Sequence, residues 1–341
     1  MNKSEKNLLM AMSKRSVFIT GGSGFVGQNI IRHYLAAGAE VLALVRSSDA
    51  ERRVQELGAR PIKGDLSESG WFSSLKGCDL LIHAAADTSH AYRSKQQWQT
   101  NVEGTTGLFR AAREAGVKRA VYISTESVLL TGKPLVMADE THPLPRRFAG
   151  AYSYTKAVAE QSALEQAGDQ FEVVVVRPRF VWGSGDTTAL PQLVAAVKSD
   201  KFAWIAGGDY LSSTTHIDNL CQGISRAAEF GSNKEIYFIS DEQPQRFRDF
   251  VSQLLATQDI AAPDKTVPRW LVKALAQLGD LAFRLSGGRL QSSLNRQVFA
   301  TSAVEVTFTI DKARRELDYI PVKSVEQGML ELKKASGSMA S

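Results

Sequence analysis

The chain has 341 residues, 43% hydrophobic and 23% charged, with a net charge of +5 spread along its length. That balance excludes a disordered or low-complexity chain, and two distant cysteines, Cys78 and Cys221, exclude a disulfide framework or a cysteine-ligated metal site. No apolar run reaches the roughly 18 residues that span a bilayer, and no nucleic-acid motif accompanies the mild basicity, which implies at most a pull toward anionic ligands or lipid head groups.

Along the chain, "MNKSEKNLLMAMSKR" lacks a long apolar stretch, is not a secretory signal and reads as a flexible lead-in over 1–14. "SVFIT" is a first strand, followed by the glycine turn "GGSGFVG" and the amphipathic "VGQNIIRHYLAAG". "EVLALVR", "RPIKGD", "CDLLIHAAA", "KRAVYIST" and "FEVVVVRP" are further strands, separated by helical segments such as "SDAERRVQELG" and "NVEGTTGLFRAAREAG". Strands apolar on both faces and alternating with helices predict an α/β fold: a doubly wound parallel sheet of the Rossmann type over 15–180. Beyond 180 the alternation breaks down. A smaller, discontinuous substrate-binding lobe is expected over 181–335, with elements returning to the first domain, and a disordered tail over 336–341. In "PRWLVKALAQLGDLAFRL" the apolar residues of Trp270–Leu285 share one helical face, which suits packing on the lobe or lying in a membrane surface; Lys273, Asp280 and Arg284 rule out a spanning helix.

Gly21, Gly24 and Gly27, between the first strand and the first helix, predict a dinucleotide-binding loop. They allow a tight turn, close approach to a pyrophosphate and close helix–sheet packing. Ser23, Phe25 and Val26 complete that loop. The second strand ends in Arg46, Ser47 and Ser48 where NAD sites carry a carboxylate, so an arginine–phosphate pair and a preference for NADP(H) over NAD(H) are expected. Asp65 is placed to accept from the adenine amino group, with Leu66 against its ring. In "AYSYTKAVAE", Tyr152 and Lys156 are four apart and share a helix face. By itself that spacing suits an ordinary helix surface as well as an acid–base pair.

The segments "TGGSGFVG", "GDL", "HAAA", "NVEGT", "VYISTESV", "YSYTK", "RPRFVWGSGD" and "THIDNL", in this order, make the chain resemble the extended short-chain dehydrogenases/reductases, within them the 3β-hydroxysteroid and sterol dehydrogenase branch. The resemblance covers about residues 16–335. It implies that Tyr152 is the general acid/base, its pKa lowered by the Lys156 ammonium together with a positive oxidised nicotinamide, and that Lys156 also holds the nicotinamide ribose. It implies that Thr125, with Ser124 as the alternative, holds the substrate oxygen. Ala84, Ala85 and Ala86 would admit the cofactor, Pro178 would lie beside the nicotinamide, and Asn101 would support backbone between strands. Tyr154 would pack or line the substrate wall, His216 and Asp218 would lie in a closing segment with His216 either a substrate contact or a structural residue, and Glu140 would lie in a loop over the pocket. Phe180 stands where sugar-nucleotide epimerases have an amide, and Trp182 would widen an apolar wall. Both argue for a hydrophobic substrate, sterol-like or a β-keto fatty-acyl derivative, over a sugar nucleotide. No metal is expected. A homodimer through "NVEGTTGLFRAAREAG" and "YTKAVAEQSALEQAG", and a cytoplasmic or membrane-peripheral location, complete the expectations.

Overall fold

The computed structural model describes Met12 and residues 15–92 and 94–339. Seven parallel strands form the main sheet: β1 (Ser16–Thr20), β2 (Glu40–Val45), β3 (Arg60–Lys63), β4 (Leu80–His83), β5 (Arg119–Ile123), β6 (Glu172–Pro178) and β7 (Ile236–Ile239). Their spatial order is β7-β6-β5-β4-β1-β2-β3. The central strands are buried along nearly their whole length because helices cover both faces. Helices α1 (Phe25–Ala36), α2 (Ser48–Glu56), α5 (Ile217–Phe230) and α7 (Asp311–Leu317) pack on one face with Val17, Ile19, Val41, Val121 and Val174. Helices α3 (Gly104–Glu114) and α4 (Ala151–Glu165) cover the other, over Phe18, Leu81, Tyr122 and Val173. The chain builds β1 to β3 outward in one direction and then returns to place β4 on the far side of β1. That reversal opens a crevice beyond the carboxyl ends of β1 and β4, where such sheets bind ligands.

The lobe interleaves with this domain rather than following it. A four-stranded sheet joins Gln245–Arg246, Leu211–Ser212, Val306–Phe308 and Leu135–Ala138, so one strand precedes α4 in sequence. In return, β7, from "EIYFIS", is the edge of the main sheet, and α5 and α7 pack on that sheet. Helix α6 (Arg269–Leu285) lies on the lobe, and α8 (Val325–Met339) packs Val325, Met329 and Leu332 into the lobe core around Trp182. The disordered tail expected from 336 is therefore corrected: the helix runs through Met339, and residues 340–341 lie outside the described residues. Of the expected lead-in, Met12 is buried in the main core; residues 1–11, 13 and 14 lie outside the described residues. Both cysteines are buried free thiols.

Candidate active site

The glycine loop follows from steric limits. Gly21 takes φ +74°, and a Cβ there would lie 2.7 Å from the Ala85 nitrogen, so the turn and the small residues after β4 fit only each other. A Cβ on Gly27 would meet the Gly21 oxygen at 2.1 Å, so only glycine lets α1 start this close to the turn. At Gly24 a Cβ meets only the Gly21 oxygen, at 3.4 Å, and would otherwise project into the crevice. No side chain caps α1 and its first turn carries no acid, which leaves its amino end for an anion. The cradle that a Cβ would fill, and the uncapped helix end, fit the pyrophosphate of a dinucleotide.

From this loop a cavity of about 1130 Å³ runs across the sheet to the lobe. All the residues expected to hold cofactor line it: Gly21, Ser23, Gly24, Phe25, Val26, Gly27, Arg46, Asp65, Leu66, Ala84, Ala85, Ala86, Lys156 and Pro178. Arg46 is 67% exposed, with its guanidinium 3.6 Å from the Asp65 carboxylate. Ser67 also donates to Asp65, through its amide at 2.9 Å and its hydroxyl at 2.7 Å.

Tyr152, Lys156, Ser124 and Thr125 meet in the middle of the cavity. Helix α4 is fixed there by its neighbouring residues. Gln297 accepts from the Ser153 amide and hydroxyl, and donates to Ser127. Asn101, on a π-helical turn at Gln99–Glu103, donates to Thr155 at 3.1 Å and also pairs with the Asp87 backbone at 2.7 and 3.0 Å. Asn101 thus ties the loop after β4 to α4, and not two strands to each other. The buried Arg177–Glu160 pair clamps the same helix to β6, with Arg177 Nε donating at 3.0 Å. Lys156 Nζ donates to the Ile123 carbonyl at 2.8 Å, and burial pushes its pKa down to about 7 against the opposing pull of Glu160. Burial and the Glu126 carboxylate push Tyr152 well above the ordinary tyrosine value, against a hydrogen bond with Thr125. Burial beside a carboxylate thus favours the protonated phenol, whereas the expected lowering counts also on the charge of an oxidised nicotinamide.

Two residues of this constellation carried no signal in the sequence. His90, on the loop after β4, lines the cavity with its ring 5.2 Å from that of Tyr152, and burial lowers its pKa. Glu126 follows Thr125 directly and is buried, with Arg179 Nη1 at 2.5 Å. Arg179 is satisfied further by Ser212 at 3.1 Å and the Thr301 carbonyl at 2.9 Å.

The lobe side corrects several expectations. Phe180 does line the cavity, and it holds φ +40°, a strained conformation for a bulky side chain. Trp182 does not. It is buried in the lobe core, donating to Asp241 at 2.9 Å and packing on His216 and Phe250. His216 is likewise internal; its Nδ1 accepts from the Asp218 amide at 3.2 Å and caps α5. Asp218 pairs with Lys323, which also pairs with Glu331. Glu140 does not cover the pocket: it accepts from the Phe238 amide at 2.8 Å, satisfying the open edge of β7. Tyr154 packs between Trp98 and Phe148. The apolar wall comes instead from Phe180, Leu193, Phe202, Trp204, Tyr210 and Phe247.

The pattern of the 3-beta hydroxysteroid dehydrogenase/isomerase family matches residues 18–269. The chain belongs to this family. It is 43% identical to a 4-hydroxy-2-methyl-3-oxo-4-farnesyl-3,4-dihydroquinoline-1-oxide ketoreductase of Stigmatella aurantiaca, over 93% of this chain and 96% of that protein. It is 30% identical to a decarboxylating sterol-4-alpha-carboxylate 3-dehydrogenase of Dictyostelium discoideum, over 93% of this chain and 100% of the other. The crystal structure of gox2253 superposes with a TM-score of 0.78 at 26% identity, over 96% of this chain and 99% of that one. This family member is an oxidoreductase that interconverts secondary alcohols and ketones with a nicotinamide cofactor.

Proposed function

We propose that the protein is an NADP(H)-preferring ketoreductase for a hydrophobic ketone, sterol-like or a β-keto fatty-acyl derivative. One observation carries the reading: Tyr152 and Ser124 meet in a cavity whose far wall is aromatic and aliphatic. A reduced nicotinamide held along the glycine loop would supply hydride to the carbonyl carbon. Tyr152, held as a phenol, donates its proton to the carbonyl oxygen as the alcohol forms. Thr125, expected to hold the same oxygen, gives its hydroxyl hydrogen to Glu126 at 2.8 Å, so the role passes to the alternative, Ser124, whose buried hydroxyl at the cavity has no partner among the described residues. Lys156, anchored on the Ile123 carbonyl, supports the ribose and faces the same crevice.

Arg46 and Ser47 line the adenosine end of the cavity, which supports the choice of NADP(H). Fluorescence titration with NADPH and NADH tests it. Arg46→Ala should weaken NADPH at least about tenfold, the loss of one charge-assisted pair, and leave NADH unchanged. Equal loss for both would assign Arg46 to adenine stacking.

Two assembly features belong to the same reading. Helix α6 buries only Val272 and Ala276 and leaves Trp270 71% and Leu285 80% exposed, with Leu275, Leu278 and Leu281 between them. Its exposed charges, Arg269, Lys273 and Arg284, are all cationic, which fits peripheral contact with an anionic lipid surface. The half-buried outer residues of α3 and α4, among them Thr106, Val158 and Ser162, support a homodimer, to be read by sedimentation.

A further inference from the structure

The chain has five histidines, and four of them are accounted for. His142 is exposed. His83 uses both ring nitrogens, on Thr20 at 2.6 Å and Thr105 at 2.8 Å. His33 meets Ser225 at 2.8 Å, and His216 caps α5. His90 differs. It is half-buried and lines the cavity, and neither of its ring nitrogens has a hydrogen-bond partner among the described residues. A neutral imidazole offers one donor and one acceptor, and here both are left for a ligand in the cavity.

The loop that carries His90 is held by three amide side chains, each no more than 4% exposed. Asn101 exchanges two bonds with the Asp87 backbone, at 2.7 and 3.0 Å. Gln97 donates to the Ser89 carbonyl at 2.8 Å. Asn295 donates to the carbonyl of His90 itself at 2.7 Å, while its own oxygen caps the short helix Arg296–Ser302. Val298, Thr301 and Ser302 of that helix line the lobe side of the cavity, and the three alanines upstream of the loop line the side expected to hold the cofactor. His90 thus sits at the seam between the two, its ring centre 5.2 Å from that of Tyr152. Two residues on, Tyr92 stacks on Phe283 of α6 with ring centres 4.0 Å apart, which fixes the far end of the loop.

Tyr152 and Ser124 address the reacting carbonyl oxygen, so a ring beside Tyr152 addresses a different atom of the same molecule, close to the ketone. We infer that His90 is a specificity-determining residue that hydrogen-bonds a second, neutral oxygen of the substrate, an acyl carbonyl one carbon away from the ketone, so that the site favours β-keto acyl compounds over isolated ketones. The inference rests on the ketoreductase reading and narrows its substrate class. The partner is neutral because burial opposes a charged imidazole, against the pull of Glu126. The wall formed by Leu193, Phe202, Trp204 and Phe247 is apolar and suits a hydrocarbon chain on the other side of the ketone. A site built around such a bond rejects analogues lacking the matching group more strongly than an apolar wall rejects one methylene.

The test pairs a medium-chain β-keto ester with a plain ketone of equal length, both reduced by the full-length enzyme with NADPH. His90→Phe keeps a ring and removes both nitrogens. The ratio of kcat/KM, ester over ketone, should fall about tenfold in that variant, the loss of one hydrogen bond. His90→Gln, which retains a donor and an acceptor, should keep part of the preference. An unchanged ratio in His90→Phe, at an unchanged melting temperature and NADPH affinity, would overturn the inference. A second measurement needs no turnover. A malonate diester has two carbonyls one carbon apart and no ketone to reduce. By calorimetry on the NADP+ complex of the wild type, it should bind about tenfold tighter than a monoester of equal length, and His90→Phe should remove the difference. Equal binding of the two esters by the wild type would overturn the inference without any variant. A malonate preference that depends on His90, in an enzyme that reduces no ketone, would support the role of His90 and count against the ketoreductase reading instead.

Discussion

Lys156 Nζ lies 2.8 Å from the Ile123 carbonyl oxygen and 4.3 Å from the centre of the Tyr122 ring. The amine is thus buried against the end of β5, and burial lowers its pKa to about 7. The consequence for stability has a definite sign. An unfolded lysine keeps its proton up to about pH 10.4, while the folded one releases it near 7. Between those values the unfolded chain binds more protons, so this residue makes stability rise with pH; below pH 7 its unfavourable contribution is at its full size. Lys156→Met should therefore be more stable than wild type at pH 6, by about 2 kcal/mol, with the gap closing toward pH 10. Urea unfolding at pH 6, 8 and 10 measures it; a constant gap would contradict the burial argument.

Two glycines of one loop should respond oppositely. Gly27→Ala puts a Cβ 2.1 Å from backbone and should cost stability, about 2 kcal/mol or more, together with cofactor binding. Gly24→Ala meets nothing closer than 3.4 Å, so its melting temperature should hold while cofactor affinity falls about tenfold or more, because the methyl occupies the pyrophosphate's place. Thermal melts and cofactor titrations of both variants separate the roles.

Trp182 and Phe180 should likewise part company. Trp182→Phe leaves the buried Asp241 carboxylate short of one donor and should destabilise by about 1–3 kcal/mol with KM unchanged. Phe180→Ala should raise KM for an apolar ketone several-fold, since the side chain forms cavity wall. A KM effect at Trp182 would restore it as a substrate contact.

Helix α6 predicts salt-sensitive sedimentation of the protein with vesicles containing phosphatidylglycerol and little with phosphatidylcholine alone. Leu278→Asp with Leu281→Asp should abolish the first without altering reduction of a water-soluble ketone. Equal sedimentation of that variant would rule out the exposed leucines as the contact.

How far the sequence could be read depended on the range of the interaction. The glycine loop, the alternating strands and the Tyr152–Lys156 spacing are local patterns set by backbone sterics and periodicity, and the structure brings Gly21, Gly24, Gly27, Tyr152 and Lys156 to one cavity. Trp182 and Glu140 were misplaced, and the two readings of His216 left open, because their partners are distant in sequence: Asp241 accepts from Trp182 and from the His216 amide, and the Phe238 amide on β7 donates to Glu140. His90 and Glu126 could not be found at all. A single histidine in a polar loop and a glutamate after a strand carry no periodic signal, and each gains meaning only from Tyr152 and Arg179 beside it. Spacing likewise shows Lys156 one turn from Tyr152 but not the desolvation of both groups.

The most direct test of the account is a reduction assay with NADPH and a hydrophobic β-keto ester, comparing wild type with Tyr152→Phe. Wild-type turnover that falls about a thousandfold in the variant, with NADPH affinity unchanged, is the predicted result. Turnover that survives Tyr152→Phe would contradict the assignment of Tyr152 as the proton donor.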